Sequence, residues 1–291
     1  MSPLHLTAVS AGLVARRVLD TAQDSAVLGL TSRGLFLTLS NSWVIFLTSN
    51  THRGPLTVNL PDWPTPLWGL QPGTRVEIQD GAMIFSAHGL VIETASSPIW
   101  QSITPLQPPL GQLERRDKLA DLIELRIQNG DYPNGLFHLL LANDPALQRH
   151  MDESIVLGYA QFRASLVTNQ SPTIASKLVP FLGLGSGLTP SGDDLAAGFL
   201  LALNRWGREL SPSLNPEEIN AVLHSEAFLR TTHLSTSLIA CACQGQADER
   251  LVLALDGIVA GTSPVKDCLA ALSDYGSTSG FDALAGMAAL I

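Results

Sequence analysis

Arg75-Val76-Glu77-Ile78-Gln79-Asp80-Gly81-Ala82-Met83-Ile84-Phe85 is the stretch on which the fold turns. Val76 and Ile78 alternate with Arg75, Glu77 and Gln79, the period of a strand with one buried face. Asp80-Gly81 then separates two such runs by two residues, the signal of a type I′ hairpin, because both tolerate positive φ. His88-Gly89 separates the next pair in the same way, so three strands are expected in a meander. Upstream, Ala26–Leu30, Leu35–Leu39, Trp43–Thr48 and Leu56–Leu60 are further runs of strand length; with Arg75–Gln79, Ala82–Ser86 and Leu90–Glu93 they make seven. So many short strands must hide their edges, which predicts a small antiparallel barrel or sandwich.

Pro98 to Gly111 carries Pro98, Pro105, Pro108 and Pro109 and reads as a linker. Beyond it the period changes. Leu147, Met151, Ile155, Tyr159, Phe162 and Leu166 recur at steps of four and three, one face of a helix. Asn215-Pro216-Glu217-Glu218 and Ser263-Pro264 read as helix starts, with a side-chain oxygen at the N-cap and proline where no amide hydrogen is needed. Leu195–Leu203 is apolar all round and predicts a helix buried at a domain centre. The fold class expected is α+β: a β-rich domain over 1–110 that ends in the Pro-rich linker, then a mainly helical domain over 111–291.

The chain has 291 residues and 45 % hydrophobic content, enough to fill a sizeable core without metal or disulfide staples. Its formal charge of −9 and pI near 5.1 argue against nucleic-acid phosphates as partner, since such binding rests on clustered Lys and Arg. Cys241, Cys243 and Cys268 read as reduced core thiols. Met1 to Asp20 carries Arg16-Arg17 after its apolar stretch and lacks a signal-type core, and Leu195–Leu203 is too short to span a bilayer. A cytoplasmic location without membrane contact is the expectation.

The chemistry is concentrated in Gly183-Leu184-Gly185-Ser186-Gly187-Leu188-Thr189-Pro190-Ser191-Gly192-Asp193-Asp194. Glycines before a helix bring bare amides near a ligand, and with the helix dipole they attract anions. A structural reading covers part of the motif: Ser191-x-x-Asp194 is a capping box, and acids in a first turn offset the dipole. It leaves Gly185, Gly187 and the second hydroxyl at Thr189 without a reason, so this loop, with Ser186 and Gly192, is the candidate anion site. Asp193 and Asp194 beside an anion call for a cation or an arginine; magnesium bridging the two would fit. The spacing from Gly187 to Gly192 is that of a P-loop, yet Asp193-Asp194 stands where that motif needs Lys followed by Ser or Thr.

A second cluster is Arg230-Thr231-Thr232-His233-Leu234-Ser235. On one continuous helix Thr231 and Ser235 would share a face and Arg230 would share another with His233. Arg230 is the candidate to neutralise an anion, its fork matching carboxylate or phosphate oxygens. The alternative is a polar helix end whose hydroxyls bond back to carbonyls. His224-Ser225-Glu226 is a close pairing of a histidine with an acid, too little for a zinc site. A third cluster repeats the first: Ser191-Gly192-Asp193-Asp194-Leu195-Ala196-Ala197-Gly198 and Ser279-Gly280-Phe281-Asp282-Ala283-Leu284-Ala285-Gly286 share Ser, Gly, Asp, Ala and Gly at equal offsets. The two starts, with Thr278 beside the second, are expected to converge on one pocket lined by Thr231, Thr232 and Ser235.

These three motifs resemble those of a bacterial family that includes the third subunit of oxamate carbamoyltransferase, from anaerobic allantoin breakdown. The resemblance implies a transferase component that exchanges a carbamoyl group between oxalurate or oxamate and phosphate. It also implies an anionic small-molecule partner (phosphate, carbamoyl phosphate or an oxalate-like acid) and a hetero-complex or oligomer. The apolar end Ala285–Ile291 is a candidate surface for that assembly. The Ser-Thr-Arg-Thr-Arg phosphate motif of better-known carbamoyltransferases is absent. Two other readings stay open: a non-catalytic subunit that holds the ligand for a partner, and a small-molecule kinase. For the kinase, Pro180–Gly187 is similar to the Gly-Leu-Gly-Ser-Ser phosphate loop of the galactokinase and homoserine kinase group. Here Leu188-Thr189-Pro190 intervenes before the helix, and no second serine follows Ser186.

Overall fold

The computed structural model describes residues 3–130, 135–141 and 152–291. Met1, Leu147 and Met151, used above, lie outside the described residues. The chain divides into two compact units, Met1–Ser102 and Ile103–Ile291.

The first unit is one ten-stranded sheet. In chain order its strands are β1 (Leu4–Thr7), β2 (Ser10–Gly12), β3 (Asp24–Thr31), β4 (Gly34–Leu39), β5 (Val44–Thr48), β6 (Thr57–Asn59), β7 (Arg75–Gln79), β8 (Ala82–Phe85), β9 (Leu90–Glu93) and β10 (Ile99–Trp100). Their spatial order is β1-β9-β8-β7-β3-β4-β5-β6-β2-β10. β1 and β2 are three residues apart yet sit near opposite ends of that order, so the sheet must curl until its ends lie within about 10 Å. The closing bonds are visible: the Ala8 amide donates to Glu93 O at 2.9 Å and the Val9 amide to Asn59 O at 2.7 Å. A register shift in β3 between Val27 and Gly29 adds local twist in the direction of closure. Leu35, Leu37, Val76, Ile78, Met83, Phe85, Leu90 and Ile92 form the inward face.

All seven sequence-read runs are strands of this sheet. At Asp80-Gly81 the φ values are 51° and 77°, as a type I′ turn requires. The turn before β9 is longer than expected: Ser86–His88 make a single 3-10 turn, closed by Gly89 in the left-handed region at φ 59°. The sheet is mixed, since β1–β9, β2–β10 and β5–β6 pair in parallel. The β5–β6 connection contains Gly54-Pro55 and no two-residue turn, so nothing local dictates an antiparallel return. Helix α1 (Leu13–Thr21) buries Val14, Ala15, Val18 and Leu19.

The second unit is helical: α2 (Gln112–Gln128), a 3-10 segment Leu136–Leu141, α3 (Glu153–Leu166), α4 (Ser171–Leu178), α5 (Ser191–Leu210), α6 (Pro216–Arg230), α7 (His233–Ala242), α8 (Glu249–Ala260), α9 (Val265–Tyr275) and α10 (Ser279–Met287). α5 is the central helix, and Leu195, Phe199, Leu200 and Leu203 are at most 1 % exposed, as its all-apolar run predicts. Tyr159 and Phe162 are the buried residues of the α3 stripe. Asn215 caps α6 by accepting from the Glu217 amide at 3.1 Å. Ser263 does not cap α9: Pro264 takes the N-cap position, and its carbonyl accepts from the Asp267 and Cys268 amides at 3.0 and 3.1 Å.

The three cysteines are free, with Cys241 and Cys268 buried. Burial pushes the Cys243 thiol up to about 12 and the Cys268 thiol up to about 11, so both stay protonated and inert. The apolar C-terminus is not an assembly surface. Ala285, Met287, Leu290 and Ile291 are buried in the core of this unit, because α10 packs along α5 and draws the tail inward. No helix among the described residues is long and apolar enough to cross a membrane.

Candidate functional site

The two helices that carry the repeated motif lie together with their starts at the same end. Gly198 and Gly286 make this contact: a Cβ on Gly198 would sit 2.0 Å from Ala283 O, and one on Gly286 would sit 1.9 Å from Leu195 O. Ala283 and Leu195 each stand four residues into their helix, and the two glycines seven. The contact is therefore reciprocal, as in a local two-fold.

Neither serine caps its own helix. Pro190 and Thr278 occupy the N-cap positions without a side-chain cap bond, which removes the capping-box reading of Ser191-x-x-Asp194. The hydroxyls face the other helix's acid instead: Ser191 lies near enough to the Asp282 carboxyl, and Ser279 and Thr189 to the Asp194 carboxyl, to favour the ionised form of each. Thr189 Oγ1 and Ser279 Oγ lie 3.4 Å apart. The two helix starts thus converge, as the repeat suggested.

Both carboxyls are deeply buried, Asp194 at 4 % and Asp282 at 0 % exposure. Burial drives Asp194 well above the usual carboxylate range, and the nearby Asp282 and Asp193 charges add to it against the hydroxyls. Asp282 is raised to about 6, again chiefly by burial; Ser191, the Leu136 amide, Thr278 and His138 hold it down. Among the described residues, the Oδ2 atoms of Asp194 and Asp282 and the Ser235 hydroxyl are buried without a hydrogen-bond partner.

Asp193 has a different task. Its Oδ1 accepts from the Gly183 amide at 2.7 Å, and its Oδ2 accepts from the Thr231 hydroxyl. It ties the loop to the α6–α7 junction. Each Asp193 oxygen thus already accepts one hydrogen bond. Among the described residues, no three His, Cys, Asp or Glu side chains are grouped as metal ligands.

The loop is anchored at its base and open at its tip. The Gly192 amide donates to Leu184 O at 2.9 Å, and a Cβ on Gly192 would lie 1.9 Å from Phe181 O, so this glycine serves packing. Gly185 has φ 116° and would press a Cβ to 2.9 Å from the Ser191 amide. Gly185, Ser186, Gly187 and Leu188 are exposed. The amides of Asp193 and Asp194 already donate to Pro190 O, so fewer of them remain for an anion than the bare sequence suggests.

The expected continuous helix over the second cluster is two helices. α6 ends at Arg230, Thr231 is extended at φ −134°, and Thr232 caps α7 by accepting from the Ser235 amide at 3.0 Å. Two adjacent β-branched residues favour extended backbone, and the second supplies a cap oxygen. Thr232 also donates to Leu188 O at 2.7 Å, holding the loop tip against α7. Thr236 and Ser237 bond back to the carbonyls of Thr232 and His233. The Arg230 guanidinium pairs with Glu226 at 2.5 Å on a half-exposed face of α6. Gly280 is buried, and a Cβ there would meet Leu272 O at 2.1 Å.

The structure adds residues that the sequence gives no reason to choose. The Leu136 amide donates to Asp282 Oδ1 at 2.5 Å, and a Cβ on Gly135 would stand 2.6 Å from the same oxygen. Arg126 lies over the Phe281 ring at 4.3 Å. Burial raises the Tyr275 phenol, and Asp194 is close enough to add to that rise. These come from α2, α9 and the Leu136–Leu141 segment, and none carries a motif.

The raised Asp282 carboxyl has a measurable consequence. A raised acid binds its proton more tightly in the folded state, so its contribution is full below the unfolded value near 4 and is lost as pH rises through about 6. The expected loss is on the order of 3 kcal/mol at most. Urea unfolding of wild type and Asp282→Asn between pH 4.5 and 7 should show wild-type stability falling more steeply with pH than the variant's. Parallel curves would rule the shift out.

Fold and site together define an α+β protein whose buried acids and hydroxyls are gathered where two copies of one helix-start motif meet. Residues 181–291 match the family described as oxamate carbamoyltransferase subunit AllH, which supports the resemblance drawn from the three motifs. The match takes in the glycine loop and α5 to α10. No curated protein and no solved structure matches the chain.

Proposed function

We propose that this chain is a subunit of a carbamoyl-transferring assembly, and that the junction of α5 and α10 beneath the Gly185–Leu188 loop is its small-molecule site. The observation that carries this reading is the pair of buried carboxyl oxygens, Asp194 Oδ2 and Asp282 Oδ2, left without a partner among the described residues at two helix starts. Buried polar atoms in native proteins are almost always paired, so such a pair marks a place for a ligand. The matched family's description points to oxamate and a carbamoyl group; the resemblance of the three motifs adds oxalurate and phosphate or carbamoyl phosphate to the candidates.

The helix starts favour the acid's charge, while Ser191, Thr189 and Ser279 can each turn a hydroxyl to it. The exposed tip can close over the ligand, since Gly187 has no neighbour within 4 Å of a built Cβ. A kinase reading has less support, because both Asp193 oxygens are engaged in holding the loop.

A thermal-shift panel with phosphate, carbamoyl phosphate, oxamate, oxalurate and ATP, with and without magnesium, tests the reading. Oxamate or oxalurate should raise Tm and ATP should not. No shift from any carbamoyl-related compound would overturn it. Carbamoyl-transfer assays on the isolated chain, and on the chain co-expressed with neighbouring gene products, separate a catalytic subunit from one that only holds ligand.

A further inference from the structure

We infer that the outer face of α6 is a self-complementary contact, through which two copies of this chain pair antiparallel about Ser225. The inference is independent of what the site binds.

Its basis is the composition of one helix. α6 packs on α4, α5 and α7 and buries Ile219, Leu223 and Ala227. At about 3.6 residues per turn, Ala221, Val222, Ser225, Phe228 and Leu229 fall on the opposite side, and all five are exposed. Val222, Phe228 and Leu229 are 36, 61 and 78 % exposed. A surface helix normally confines its apolar residues to one stripe and turns charge to water. α6 has a second apolar stripe, and among the described residues nothing covers it.

What fits there follows from how size and charge run along the helix. Ala221 and Val222 stand before Ser225, and the larger Phe228 and Leu229 stand after it. An antiparallel second copy centred on Ser225 sets Ala221 opposite Leu229 and Val222 opposite Phe228, small against large, with a short side chain where the helices cross. A parallel copy would set Phe228 on Phe228 and leave Ala221 facing Ala221. Charge has the same polarity: Glu217 and Glu218 open the helix, Arg230 closes it and His233 follows, all exposed. In the antiparallel register the acidic start of each helix meets the end of the other that carries Arg230 and His233, and the opposed helix dipoles add to the attraction. Arg230 already pairs with Glu226 at 2.5 Å, so the second copy's acids would extend an existing ion pair. A face complementary to itself in both size and charge fits a two-fold pair of identical chains, the commonest arrangement of soluble oligomers.

About four helical turns make a small contact, at or below the roughly 1,200 Å² that marks the low end of specific interfaces, so a weak, reversible dimer is expected. Thr232, whose hydroxyl holds the loop tip through Leu188 O at 2.7 Å, stands in register with Glu218 of the second copy. Pairing would therefore bring one copy's helix start beside the other's loop.

Sedimentation velocity of the full chain from about 1 to 100 µM, with cysteine cross-linking, tests the inference. Wild type should be a reversible dimer, and Leu229→Glu should weaken it at least about tenfold. The Tm of the dilute variant should stay within about 2 °C of wild type, since the residue is exposed. Ser225→Cys should oxidise to a covalent dimer, because the two side chains would face each other across the axis within disulfide range. His224→Cys, exposed but about 100° round the helix, is the control and should stay at the wild-type background. A monomer at the highest concentration overturns the inference, as does a dimer that Leu229→Glu leaves intact or cross-linking that is equal at the two positions. If the chain alone is monomeric and Leu229→Glu instead blocks assembly with co-expressed neighbouring gene products, the stripe belongs to a different subunit and the second-copy assignment is wrong. Should Leu229→Glu fail to fold, Ser225→Cys against His224→Cys still decides it.

Discussion

Gly198→Ala and Gly286→Ala should each destabilise the helical unit by about 3 kcal/mol, the upper end of what one overpacked methyl costs. At both positions the added Cβ would meet backbone, Ala283 O at 2.0 Å and Leu195 O at 1.9 Å, and a backbone carbonyl cannot rotate out of the way as a side chain can. Relief would require α5 and α10 to separate, which would also pull Ser191 from Asp282 and Ser279 from Asp194. Thermal unfolding should therefore shift down by roughly 10 °C for a unit of this size, with oxamate-induced stabilisation lost in the same variants. Gly187→Ala is the control. Its surroundings are open, so only the strain of φ 95° is felt, about 1–2 kcal/mol. If the helix-pair variants melted with the control, the close contact would not be holding the two starts together.

Breaking the Arg205–Asp256 pair should cost still more. Arg205 Nε and Nη2 donate to the two Asp256 oxygens at 2.7 and 2.6 Å, Nη2 also reaches Ile103 O at 2.6 Å, and Trp206 Nε1 donates to Asp256 at 2.9 Å. The side chains are 1 % and 7 % exposed, so neither charge has water to fall back on. Asp256→Asn strands a guanidinium in the core, and Arg205→Met strands a carboxylate that keeps only the Trp206 donor. Each should lose about 3–5 kcal/mol. The double variant Arg205→Met/Asp256→Leu removes both charges and should be more stable than either single. Urea denaturation of the three reads this directly, and additive losses would show that the pair is not coupled. The pair ties the far end of α5, the helix whose start carries Asp193 and Asp194, to α8.

Local order was legible in the residues themselves. Apolar runs of strand length marked all seven internal strands, and Asp80-Gly81 marked a turn with the dihedrals that its composition demands. The uninterrupted apolar run of α5 announced a buried helix. Each of these signals rests on neighbours along the chain, within reach of backbone sterics and side-chain period. β1, β2 and β10 were not read, since none is joined to a neighbour by a two-residue turn signal of the kind that marked β7 to β9, and β2 and β10 are only three and two residues long. Parallel pairing of β5 with β6 was equally hidden, because a loop without a tight turn leaves direction to tertiary packing.

The site divides along the same line. The repeat of Ser, Gly, Asp and Gly at equal offsets declared by itself that two helix starts were alike, and its glycines already specified close packing. What each residue does was decided only in three dimensions. Ser191 and Ser279 have the spacing of caps, but with α5 and α10 in contact each hydroxyl finds the other helix's carboxyl. Arg230 had the right chemistry for an anion and was drawn to Glu226, one helical turn away. The burial that raises the proton affinity of Asp282 belongs to the fold around it, and the Leu136 amide that partly offsets the rise is far off in the chain. Desolvation and hydrogen-bond partners belong to the folded neighbourhood; sequence spacing records only which groups a helix could offer to it.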